Sequence, residues 1–178
     1  MKYLFLHSQC LISKYKKYRW SLSYTISKSK KEIIFIGLNP SLSNSVFIDN
    51  TTKKIIKISR NYNYGKVKLL NLFALISSNS DKIFTHKNPV GYLNNMHIYK
   101  NLKYWSENNN CDLWLGWGNK GIFKNRNKKI LKKIFKFYTI KKTNFKTPLG
   151  PLFIKKTIQD NPIHPLYCPD NSILQSDY

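Results

Sequence analysis

Apolar residues in this chain gather in short runs separated by polar stretches with helical periodicity, and that alternation sets the expected order of elements. Residues 33–38, Ile33-Ile34-Phe35-Ile36-Gly37-Leu38, are apolar throughout and of strand length, the pattern of a strand buried on both faces. Residues 67–74 make a second such run with Asn71 in its latter half. Residues 112–115 make a third, ending in Gly116-Trp117-Gly118-Asn119. Ahead of them, Tyr18-Arg19-Trp20 and the alternating residues 21–26 predict an edge strand or hairpin over about 1–27. A first helix is expected from a Thr51 or Thr52 cap, with Ile55, Ile58 and Tyr62 inward and Tyr64-Gly65 as its end. A second over about 94–107 buries Ile98, Leu102 and Trp105. A third and strongly basic helix spans 122–138, with Ile130, Leu131, Ile134, Phe135 and Tyr138 on one side. Two more strands are expected at 138–145 and 152–158, split by Thr147-Pro148-Leu149-Gly150-Pro151, and a polar tail closes the chain over 169–178.

Strands alternating with helices predict an α/β fold, a three-layer sandwich with a mainly parallel central sheet. A length of 178 residues suits one domain over 1–178 with its core over about 32–168. Hydrophobic content of 42% and aromatic content of 15% exclude a disordered chain. No stretch approaches the roughly 20 apolar residues of a membrane span. The apolar start at 3–12 is interrupted by His7, Ser8 and Gln9 and lacks a cleavage site, so a cytoplasmic protein is expected. Cys10, Cys111 and Cys168 are far apart and outside C-x-x-C spacing, which argues against a disulfide framework or a zinc knuckle. Nothing in the pattern specifies an oligomer.

The formal net charge of +23 changes the picture, because it points to a polyanion such as nucleic acid. Yet of 31 basic residues only Arg19, Arg60 and Arg126 are arginine, and Asn, Ile and Tyr are abundant too, as AT-rich codons would give. The forked guanidinium that suits phosphate and base contacts is therefore scarce. A functional charge and a compositional one stand side by side. Either way the field gives salt-dependent, non-specific affinity for nucleic acid.

Open α/β sheets bind ligands beyond the carboxyl ends of their strands, and the polar residues expected there are Asn39, Asn71, Asn119 and the late His164. An Asn amide offers both donor and acceptor, suited to reading a base edge or placing a water. It equally satisfies turn backbone, the common role of Asn in loops. His164, held between Ile163 and Pro165, suits electrostatic stabilisation or proton shuttling as well as loop packing. Asp49 is the one carboxylate in a loop able to face the Asn39 edge, hence the candidate base. The segment Gly116-Trp117-Gly118-Asn119-Lys120-Gly121 lacks both the phosphate-loop and the dinucleotide spacing. It reads as a tight strand-to-helix turn, with Trp117 a base-stacking platform or a core residue.

With these motifs in place, the chain resembles the bacterial domain-of-unknown-function family 1643 over nearly its whole length. The matching residues run Tyr18-Arg19-Trp20, Leu38-Asn39-Pro40-Ser41, Asp49 with Thr51 or Thr52, Tyr64-Gly65 and Asn71-Leu72-Phe73-Ala74. They continue through Asn88-Pro89-Val90-Gly91, Trp117-Gly118-Asn119 with Gly121, and His164-Pro165-Leu166-Tyr167. The family brings no established activity. It commonly has basic residues where this chain has Ile76 and Ile163.

A second resemblance is to uracil-DNA glycosylase-like proteins, through Gly37-Leu38-Asn39-Pro40, a later strand-end Asn71 and a terminal His164-Pro165. It implies a glycosylase-like fold in which Asn39 positions an attacking water and Asn71 reads a pyrimidine edge. His164 would then stabilise charge on the departing base. The expected site has Asn39, Asp49 and His164 as catalytic groups. Pro40, Ser41, Asn71, Phe73, Trp117, Gly118, Asn119 and Tyr167 are expected to contact substrate. The expected ligand is a nucleobase, nucleotide or nucleic acid, with no metal and no cofactor. Two rivals are a non-catalytic module holding nucleic acid or a nucleotide through lysines, and a hydrolase or transferase of a small phosphorylated metabolite held by Gly118, Asn119 and Lys120.

Overall fold

The computed structural model describes residues 5–44 and 47–177. Tyr3 and Leu4 of the apolar start, Ser45 and Val46 of the 39–50 loop, and Tyr178 of the tail lie outside the described residues. Five strands, β1 (His7–Ile12), β2 (Arg19–Thr25), β3 (Glu32–Gly37), β4 (Lys66–Asn71) and β5 (Cys111–Leu115), form one sheet in the order β1-β2-β4-β3-β5. β3 runs parallel to β4 and β5, whereas β1 pairs β2 and β2 pairs β4 antiparallel. The sheet is thus mixed rather than mainly parallel. The reason is the connection between β2 and β3, residues 26–31, which is too short for the crossover that a parallel strand needs.

Helices cover both faces. α1 (Asn50–Asn61) lays Ile55, Ile56 and Ile58 on Ile33, Phe35, Val67, Leu69 and Trp114. On the other face α3 (Asn94–Glu107) and α4 (Arg126–Asn144) pack Ile98, Leu102, Trp105, Ile130 and Ile134 against Ile34, Ile36, Leu70 and Leu113. A single turn, α2 (Lys82–Thr85), lies in the polar connection that follows β4. Alternate residues of β3 feed the two clusters, which is why its sequence is apolar at every position. Among the described residues no helix is long and apolar enough to cross a membrane.

Three expectations are corrected. α1 is capped not by Thr51 or Thr52 but by Asp49, whose Oδ1 accepts from Thr52 N at 2.7 Å. Residues 138–145 are not a strand, because α4 continues to Asn144. The β-branched residues Thr139, Ile140 and Thr143 suggest a strand, but the buried series Ile130, Ile134, Phe137, Tyr138 and Lys141 keeps helical spacing. Residues 152–158 form only isolated bridges, Leu152 to Trp114, Phe153 to Gln175 and Lys156 to Pro162, next to a Pro151 that has no N–H for a ladder.

β3 sends its chain to the α1 face, while its neighbour β4 sends its chain toward the α3 face. Chains leaving adjacent parallel strands in opposite directions open a crevice at their carboxyl ends. The site lies there.

Candidate functional site

A cleft of about 530 Å³ occupies this crevice, within the range of small-molecule sites. Its floor is Phe35, which reaches the cleft because Gly37 and Gly116 have no side chains to cover it. A Cβ at Gly37 would sit 2.8 Å from Phe35 Cε1, and one at Gly116 2.6 Å from Phe35 Cε2. The ring is braced edge-on by Trp114 at a centroid distance of 5.0 Å.

Beside the floor, Asn71 ends β4 in register with Gly37. Its side chain lines the cleft, is only 6% exposed, and has no hydrogen-bond partner among the described residues. The backbone around it is locked. Asn94 Nδ2 donates to Asn71 O and Leu72 O, both at 3.1 Å, and Arg126 Nε donates to Leu72 O at 2.7 Å. A buried carboxamide costs free energy unless it is paired, so Asn71 presents one donor group and one acceptor for an incoming ligand.

Asn39 donates through Nδ2 to Ser77 O at 2.9 Å and to Pro40 O at 3.1 Å, which fixes the loop after β3. Holding the turn in this way leaves its Oδ1 as an acceptor. Asp49 uses Oδ1 on the helix cap and leaves its second oxygen. His164 Nδ1 accepts from Leu166 N at 3.4 Å, which makes Nε2 the protonated nitrogen of the neutral ring. Burial lowers the His164 pKa, with the Asp49 carboxylate opposing, which favours the neutral ring.

The cleft therefore brings together Asn39, Asp49, Asn71 and His164, and Ser41 also lines it. Tyr167, 77% exposed, stands at its rim. Trp117 contributes to the wall, but its ring is buried in the α3–α4 core. Gly118, at φ +67, donates its N–H to Pro162 O at 2.8 Å. Asn119 also lines the cleft, with Oδ1 accepting from Thr157 Oγ1 at 2.5 Å. Pro40 and Phe73 do not line the cleft. Pro40 is buried in the loop and Phe73 lies in the α3–α4 core, fully buried.

Sequence reasoning missed Phe35 and Arg19 as cleft residues. Phe35 is hidden inside an apolar run, and only the nearby Gly37 hints that its ring edge reaches the cleft. Arg19 is 4% exposed and lines the cleft from the start of β2. One of its guanidinium N–H groups donates to Ser43 O, and Nε has no partner among the described residues. Lys120 at the mouth is engaged by Asp81 Oδ1 at 2.7 Å and Ser80 Oγ at 2.8 Å. Among the described residues no three His, Cys, Asp or Glu side chains gather as a metal site requires.

A family model described as "Protein of unknown function (DUF1643)" matches residues 19–166. No curated protein and no solved structure matches the chain.

Proposed function

The chain belongs to the DUF1643 family of proteins of unknown function, and from that premise we propose that its cleft binds a nucleotide and hydrolyses the N-glycosidic bond. The observation that carries this reading is Asn71, a buried carboxamide with no hydrogen-bond partner among the described residues, beside a Phe35 ring that lines the cleft while only 3% exposed. A planar base lying on Phe35 offers its hydrogen-bonding edge to that amide, and a pyrimidine edge pairs one donor and one acceptor with it. In this reading Asn39 Oδ1 and the free oxygen of Asp49 hold a water. The water oxygen bonds to the anomeric carbon, the bond from that carbon to the base nitrogen breaks, and the electron pair leaves with the base. Asp49 takes the water proton, and the His164 Nε2–H faces the negative charge developing on the base.

A single-turnover assay on DNA, RNA and nucleosides carrying modified pyrimidines tests it, with base release followed by chromatography. Release that drops by about 100-fold or more in Asn39→Ala and His164→Ala is expected from loss of water placement and charge stabilisation. Release that is unchanged in both variants would remove these roles.

A non-catalytic binding module is favoured by a specific observation of its own. Lys128, Lys129, Lys132, Lys133 and Lys136 project from α4 and have no carboxylate partner among the described residues. In that case log affinity for single-stranded nucleic acid falls linearly with log salt and no base is released. The metabolite reading loses support, because Lys120 and Asn119 are occupied within the protein.

A further inference from the structure

Arg19 places in the cleft a charge that the proposed chemistry does not use. Its backbone N–H is tied to Ala74 O at 2.9 Å, which fixes the start of β2, and its side chain reaches Ser43 O in the loop before α1. Among the described residues that carbonyl is its one side-chain acceptor. Nε has none, and no carboxylate lies within ion-pair distance. A guanidinium cannot shed its charge as a lysine can, so burial without a counter-charge is costly. Asp49 lies in its field and supplies a distant counter-charge, but neither Asp49 oxygen hydrogen-bonds the guanidinium among the described residues.

The same wall of the cleft contains a second feature of matching sign. Thr51 and Thr52, in the first turn of the twelve-residue α1, both line the cleft, and that turn carries no acidic residue. Thr52 N–H is held by the Asp49 side chain and Lys53 N–H by the Asp49 carbonyl, so the Thr51 N–H and the positive end of the helix are what remain to favour an anion.

Arg126 provides the contrast. It too is buried, with one carbonyl acceptor and an unpartnered terminal nitrogen, but it lies outside the cleft and faces no helix start that lines it. Unmet hydrogen bonds alone do not distinguish Arg19. Its position does.

We propose that Arg19 and the first turn of α1 form a phosphate subsite, so that the cleft takes a nucleoside monophosphate rather than a nucleoside. The identity of the remainder of that ligand rests on the base-reading proposal above, whereas the subsite itself does not.

The test uses inorganic phosphate as its first probe, at constant ionic strength against chloride. Millimolar phosphate should raise the melting temperature of the full chain. The rise should vanish in Arg19→Gln and persist in Arg126→Gln, whatever the stability each variant starts from. Should Arg19→Gln not fold, amide resonances of the unmodified protein decide. Phosphate should move those of Thr51 and Thr52, whereas no rise beyond chloride, or shifts confined to the α4 lysines, would overturn the subsite.

The second probe is uridine against uridine 5′-monophosphate. The monophosphate should bind about ten-fold more tightly or better, and the gap should close in Arg19→Gln. Equal affinities would overturn the subsite and leave the base reading intact. Phosphate bound at Thr51 and Thr52, with neither nucleoside nor nucleotide binding more tightly than phosphate, would keep the subsite and discard the base reading.

Discussion

Two buried cations on opposite faces of the sheet meet very different surroundings. On the α3–α4 side Lys141, fully buried, donates to Trp105 O at 2.9 Å, Asn108 O at 2.8 Å and Cys111 O at 3.0 Å. All three ammonium donors are used, and the carbonyls at the end of α3 and the start of β5 are satisfied in return. On the α1 side Arg19 has, among the described residues, one carbonyl for a five-donor fork, and it borders an open cleft. Burial lowers the pKa of both groups. The difference teaches where to look for function. A complete set of partners belongs to architecture, and an incomplete set at a cleft wall belongs to a ligand.

The largest expected effect breaks the architectural side. Lys141→Met removes three charge-assisted hydrogen bonds to these carbonyls and should cost about 3–5 kcal/mol in urea unfolding, with phosphate affinity unchanged wherever the variant folds. Next comes Asn94→Leu, which removes the amide that donates to Asn71 O and Leu72 O and leaves only Arg126 Nε on Leu72 O. A loss of about 1–3 kcal/mol is expected, together with weaker nucleotide binding, because the base reader is no longer held in place.

Arg19→Met sharpens the comparison most. Removing an under-partnered buried charge for an apolar group of similar length should change stability by no more than about 1 kcal/mol, while abolishing the phosphate response. A loss as large as that of Lys141→Met would place Arg19 with the architecture instead.

The smallest effect is in pH. His164 titrates below the ordinary imidazole value of 6.5 in the folded protein, chiefly through burial. The unfolded chain therefore takes up the proton first as pH falls. This contribution is fully present above about 6.5 and is lost progressively as pH drops toward the folded value. His97 is shifted the same way, by burial and then by Lys100 and Lys68. A His164→Gln variant should accordingly show a shallower fall of melting temperature below pH 6.5, with His97 and, at lower pH, Asp170 contributing to the slope that remains.

What the sequence made legible was governed by short-range pattern. The three parallel strands, the 94–107 helix and the gathering of Asn39, Asn71, Asn119 and His164 at one sheet edge follow from apolar periodicity and the topology of α/β sheets. The run over 138–145 misleads because β-branched residues there sit on the outside of a helix whose inner face includes a lysine. Lys141 gives no apolar signal, and its partners lie 30 to 36 residues away in sequence. The site shows the same limit. Phe73 has the composition of a substrate contact and faces the core, whereas Phe35 has the composition of core and floors the cleft. Which face a strand residue takes, and whether glycine leaves it uncovered, is decided by neighbouring strands.

The central claim, that the Asn71 amide reads the edge of a base, is tested most directly by its own side-chain NH₂ resonances in the ¹⁵N-labelled protein. Titration with uridine 5′-monophosphate should move that pair of signals saturably, at the concentration where binding is seen by calorimetry. Signals from Asn71 that stay fixed while the nucleotide binds elsewhere would contradict the account.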